Sequence, residues 1–160
     1  MRWLITGLVG LLAAAFIAFA GLGGWLYWDR VELIGEQQAR AELGPLARKQ
    51  VPAIFGYDYQ TVERSLDNAY TMLTPDFRRE FRDKANKDII PQARDRQMVS
   101  QVNVVGVGVM DAHRTSGSVM VYINQTWIDK SRQPLYNGSR LKVDYQRLNG
   151  KWLINSIEVL

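Results

Sequence analysis

The chain has 160 residues, no cysteine, one histidine, and 20 basic against 16 acidic side chains for a formal charge of +4. Without cysteine there is no disulfide framework, thiolate metal site or thiol nucleophile, and a single histidine cannot assemble a common zinc site. Charges of both signs are interspersed, which describes a solvated surface rather than a nucleic-acid footprint, so no nucleic-acid partner is expected.

The first element is apolar. From Trp3 to Trp28 no residue is charged, and the run is rich in Leu, Ile, Ala, Phe and Gly. As a helix it would span about 39 Å, against about 30 Å for the hydrocarbon core of a bilayer. Trp3 at one end and Trp25, Tyr27 and Trp28 at the other suit the headgroup level, and Arg2 with the chain amine favours a cytoplasmic N-terminus. The expected organisation is a cytoplasmic tip and transmembrane anchor over 1–28, a helical stalk over 29–44 and an extracytoplasmic domain over 45–160. That places a single-pass protein in the cell membrane. The competing reading is a signal peptide cleaved near Ala20, since Ala18-Phe19-Ala20 fits the small-x-small pattern. The apolar stretch runs on past that point and its basic start is thin, which favours the uncleaved anchor.

Beyond the anchor a block of helical patterns precedes a block of strand patterns, an order that favours α+β with an antiparallel sheet. Residues 29–43 suit a stalk, which Gly44-Pro45 is expected to interrupt. Leu46, Val51, Ile54 and Phe55 then form a stripe that Pro52 should kink. Gly56-Tyr57-Asp58-Tyr59 reads as a loop. Thr61 is a plausible cap for a helix burying Val62, Leu66, Ala69, Tyr70 and Leu73. Thr74-Pro75-Asp76 starts another, with Phe77, Phe81 and Ala85 on one face and Pro91 ending it or the next. From Val99 the valines alternate but change phase near Gly106 and Gly108, which suggests a bulge or bend. A turn at 111–117, a doubly apolar strand over 119–128, a polar loop at 129–134, an alternating strand at Leu141, Val143 and Tyr145, and the Asn149-Gly150 hairpin signal complete the chain. The expected fold is about three helices on a bent four-stranded antiparallel sheet, the cone of nuclear transport factor 2-like domains.

Chemistry is sparse. His113 lies between Asp111 and Arg114 in a turn rather than in a pocket, and no phosphate loop or nucleophile–base pair is readable. Asp58, between two tyrosines, is the best candidate for an unusual carboxylate, although an Asx-type bond to nearby backbone explains it as well. Arg78, Arg79, Arg82 and Lys84 crowd one helix and are a candidate surface for acidic lipid or a protein partner, with Glu80 and Asp83 interleaved. Asp58, Tyr59, Phe77, Phe81, Trp127 and Tyr145 are the candidate lining of a cavity inside the cone. No enzyme, cofactor or metal is expected.

Several segments, in order, resemble one family: Phe55-Gly56-Tyr57-Asp58-Tyr59, Leu73-Thr74-Pro75-Asp76-Phe77, Ile123-Asn124-Gln125-Thr126, Gly138-Ser139-Arg140-Leu141 and Asn149-Gly150-Lys151-Trp152-Leu153-Ile154. Together with the N-terminal anchor they resemble the Mce-associated membrane proteins of mycobacteria and related actinobacteria, over nearly the whole chain. That resemblance implies a small single-pass envelope protein, without agreed catalytic residues, that supports a lipid-import assembly. Pro52 and the very short cytoplasmic tail depart from the family's pattern. Two alternatives stay open. One is a carrier holding a lipid or other apolar ligand between helices and sheet. The other is a scaffold like the periplasmic domain of type IV secretion inner-membrane components.

Overall fold

A computed structural model describes residues 30–160. The expected anchor flanks Arg2, Trp3, Trp25 and Trp28 therefore lie outside the described residues, and no helix among the described residues is long and apolar enough to cross a membrane.

Helix α1 is continuous over residues 30–55. The expected interruption at Gly44-Pro45 does not occur. A proline inside a helix removes the hydrogen bond to the carbonyl four residues earlier. Here the carbonyls so released belong to Ala41 and Arg48, both on exposed residues where water can serve them. One face of the same helix carries Ala39, Leu43, Ala47, Val51 and Ile54, all buried in the core. The segment read as a stalk thus contributes two core residues before Gly44.

Tyr57 and Asp58, expected in a loop, form a short strand β1 that pairs with Val99 and Ser100. Helix α2 (Val62–Tyr70) buries Val62, Leu66, Ala69 and Tyr70, as its spacing predicts. Thr61 makes no side-chain cap bond; instead Gln60 N–H donates to Asp58 Oδ1 at 2.9 Å. Helix α3 (Pro75–Lys84) opens with proline in its first turn and buries Phe81. It does not end at Pro91. A π turn at Ala85–Ile89, closed by Ile90 N–H on Ala85 O, leads into α4 (Ile90–Arg96), where Pro91 sits in the first turn. The wider turn takes up the backbone adjustment that the proline ring demands. Gln97, in left-handed conformation at φ 51°, stops the helix.

The sheet continues as a meander of β2 (Val99–Ala112), β3 (Ser116–Ile128), β4 (Pro134–Leu148) and β5 (Lys151–Val159). All pairs are antiparallel, in the order β1-β2-β3-β4-β5. Five strands replace the expected four because β1 is too short to leave a periodic signal. Counting α3, the π turn and α4 as one bent unit, three helices cover one face of a curled sheet among the described residues. The phase change in β2 is a bulge between Val104 and Gly106, and a second lies between Val109 and Asp111. Asn149 and Gly150 both have positive φ, 50° and 79°, as a type I′ turn requires. Beyond β5, Ile154 N–H donates to Met72 O and Thr74 N–H to Ile154 O, each at 2.9 Å, so the α2–α3 link shields that edge.

Candidate functional site

The six residues considered for a cavity fall in different places. Tyr145 is 2% exposed within the core, and burial raises its phenol pKa. Its hydroxyl has no hydrogen-bond partner among the described residues. Phe77 and Phe81 pack at 6.0 Å between ring centroids, and Phe81 meets Tyr70 edge-on at 6.1 Å, a local aromatic cluster on the α2–α3 side. Trp127 lies elsewhere, in a shallow cleft with Met98, Arg96, Asp129 and Leu135. Asp58 and Tyr59 sit at the β1 end, where Tyr59 N–H donates to Met98 O at 3.0 Å and Asp58 accepts from Gln60. Asp58 therefore makes an Asx-type bond at the end of β1.

The four cations also diverge. Arg78 is half-buried and donates from Nη2 to Leu73 O at 3.2 Å, which ties the start of α3 to the preceding link. Arg82 covers the Tyr70 ring at 4.8 Å from guanidinium to centroid. Burial raises the Tyr70 pKa, and Arg82 pulls in the opposite direction. Arg79 pairs with Asp76 at the surface, and Lys84 is exposed at the helix end. Two of the four hold the helix to the body, and Arg79 and Lys84 project outward. His113 lies 3.0 Å from Asp111 and 3.6 Å from Glu36, where the β2–β3 turn reaches α1.

An open groove, not singled out from the sequence, lies between α1 and β5. It has a volume of about 600 Å³ and is lined by Glu42, Pro45, Leu46, Gln50, Thr71, Met72, Trp152 and Leu153, with Lys49 and Lys151 at its rim. Trp152 Nε1–H donates to Glu42 Oε2 at 2.8 Å, and Gln38 Nε2 donates to the other Glu42 oxygen at 3.0 Å. The indole is thereby locked against the helix, and Arg147 stacks on it at 5.5 Å. Gln50 is only 8% exposed, yet its Oε1 has no partner among the described residues. The sequence signal was present: Gln50 interrupts an apolar stripe, three residues after Ala47 and four before Ile54. On the outer sheet face Asp144 accepts from Ser118 at 2.6 Å and Ser156 at 2.8 Å, with Lys142 at 3.3 Å. Burial opposes ionisation there, but those three donors outweigh it and hold the Asp144 carboxyl below its ordinary pKa. Among the described residues no cluster of His, Cys, Asp and Glu has the make-up of a metal site.

No protein-family model matches the chain. It is similar to the outer membrane protein Rv1973 of Mycobacterium tuberculosis, at 26% identity over 158 residues covering 99% of both chains. Among solved structures it is similar to an IcmL-like type IV secretion system protein from Legionella pneumophila, at 11% identity and a TM-score of 0.66 over 76% of this chain and 91% of that one. It is also similar to the VirB8 protein of Agrobacterium tumefaciens, at 14% identity and a TM-score of 0.61 over 77% and 92%. The fold recurs in a protein named for aromatic ring hydroxylation from Novosphingobium aromaticivorans (12% identity, 79% and 94% coverage, TM-score 0.50), so architecture by itself decides nothing about catalysis. The chain therefore has the three-helix, curled-sheet fold found in type IV secretion proteins, and its sequence relatives include mycobacterial proteins named for the outer membrane.

Proposed function

We propose that this chain is a non-enzymatic, single-pass accessory protein that holds an α+β domain outside the cytoplasmic membrane as a scaffold for an Mce-type lipid-transport assembly. The observation that carries the reading is helix α1. Its described residues start at 30 and enter the core from Ala39 onward, so an anchor at 3–28 would stand next to a helix that runs directly into the domain. A rigid mount suits a part that positions partners. The dispersed polar groups, with no paired nucleophile and base among the described residues, suit scaffolding better than turnover. The Mce connection comes from the sequence resemblance alone, and likeness to a protein named for the outer membrane supports a place in the cell envelope.

Photo-reactive residues placed at Ile34, Arg79 and Lys84 in the full chain, crosslinked in intact membranes, test this. Mce or permease subunits should be captured. Capture of secretion-channel components would favour a second reading, a type IV secretion-like scaffold, for which the fold likeness speaks. Absence of any protein partner at all three positions would refute both.

A further inference from the structure

We infer that the groove between α1 and β5 binds a single-chain anionic amphiphile, with a fatty carboxylate as the simplest member of that class. The inference stands apart from the scaffold reading. The groove's volume of about 600 Å³ lies within the range of small-molecule sites, roughly 300–1,000 Å³. Its walls include Pro45, Leu46, Met72, Trp152 and Leu153, which offer an apolar trough, and the Thr71 hydroxyl in its lining already donates to Asn68 O.

Two observations specify the head group. Lys49 and Lys151, on different elements, both line the groove, and neither has an acidic side chain within ion-pair distance among the described residues. The one carboxylate of the lining, Glu42, is held by Trp152 and Gln38 and makes no ion pair with either lysine, so two lysines against one carboxylate leave the lining net positive. The second observation is Gln50. The residue is more than nine-tenths buried, lines the groove, and has its Oε1 without a partner among the described residues. A buried polar atom left unpaired is costly, and such atoms are retained where something completes them. Rotating the amide by half a turn presents Nε2 in place of Oε1, so Gln50 can donate to a carboxylate or accept from its protonated form. Apolar walls, two cations and one buried amide together match an acyl chain ending in an anionic, hydrogen-bonding head.

The test uses the full chain in nanodiscs of zwitterionic lipid, irradiated with palmitate carrying a chain diazirine and a terminal alkyne, followed by peptide mapping. Adducts should concentrate on the peptides containing Leu46, Met72 and Leu153. Unlabelled palmitate should compete about tenfold better than hexadecanol, which has the same chain and no charge. Lys49→Gln with Lys151→Gln should lower labelling about fivefold. Gln50→Leu should also lower labelling, while raising the Tm of the unliganded protein because an unpaired buried amide is gone. That opposite pair of effects separates loss of a ligand contact from loss of folding. Adducts confined to 3–28 or spread evenly over the surface would overturn the inference. Equal competition by hexadecanol, or unchanged labelling in the lysine or Gln50 variants, would do so too. A photo-reactive residue at Leu46 that captures polypeptide and no acyl chain would make the groove a peptide site and likewise refute it.

Discussion

Leu43 and Gly117 offer a direct test of whether α1 is seated on the sheet as described. Leu43 is 0% exposed, and a Cβ on Gly117 would stand 2.4 Å from Leu43 Cδ1 and 3.0 Å from Asp111 O. Carbon atoms in comfortable contact are about 3.5–4.0 Å apart, so Gly117→Ala forces the leucine methyl back by about 1 Å into a packed interior. Overpacking of this kind costs about 1–3 kcal/mol. Leu43→Ala leaves a cavity and costs about 2–5 kcal/mol. In the double variant the new methyl occupies room that the leucine vacated, leaving only the tight approach to Asp111 O. Gly117→Ala should then cost less than about 1 kcal/mol in the Leu43→Ala background, a coupling of about 1–2 kcal/mol. Urea titrations of the full chain in mild detergent, followed by far-ultraviolet circular dichroism, give all four stabilities. If the two costs add to within about 0.5 kcal/mol, Leu43 does not rest on Gly117 and the docking of α1 is wrong.

Asp144→Asn should cost about 1–2 kcal/mol at neutral pH by weakening the bonds from Ser118, Ser156 and Lys142. Because the folded-state pKa is lowered, that stability is full above the unfolded value of about 3.9 and is lost as pH falls through the folded one. The wild-type chain should thus lose more stability than the variant between about pH 5 and pH 2, and parallel pH curves would contradict this. Gly150→Ala should cost about 1 kcal/mol purely through its φ of +79°, since no atom lies within 4 Å of the added carbon. Gly108→Ala, equally unobstructed but without positive φ, should be neutral or stabilising by thermal melting, and equal losses at both sites would rule out the backbone argument. Trp152→Phe removes the donor to Glu42 and should lower stability by about 1–2 kcal/mol. Glu42→Gln should recover little in that background if the two act as a pair.

The order of helices then strands, the buried faces of α2 and α3, the β2 bulge and the Asn149-Gly150 turn were all legible, because each rests on a local signal with a defined period or φ. What was not legible depended on partners distant in the chain. Tyr57 and Asp58 become a strand only because Val99 and Ser100 lie alongside. Pro45 looked like a stop because sequence does not show that the freed carbonyl of Ala41 faces water. Pro91 looked like one too, and a π turn absorbed it. The aromatic residues were countable but not assignable: Phe77 and Phe81 stay together, whereas Trp127 and Tyr145 go to a cleft and to the core. The groove brings Gln50 beside Trp152 across about a hundred residues, and only the misplaced polarity of Gln50 announced it.

Helix α1 has to serve both as reach and as interior. With the anchor proposed at 3–28, residues inserted before Ala39 would lengthen the span between bilayer and body, whereas an insertion after it would turn Leu43, Ala47 and Val51 out of the interior. Under that proposal, height above the lipid is adjustable only within a short window. Any pull applied through that helix bears directly on the folded body, with no slack to take it up.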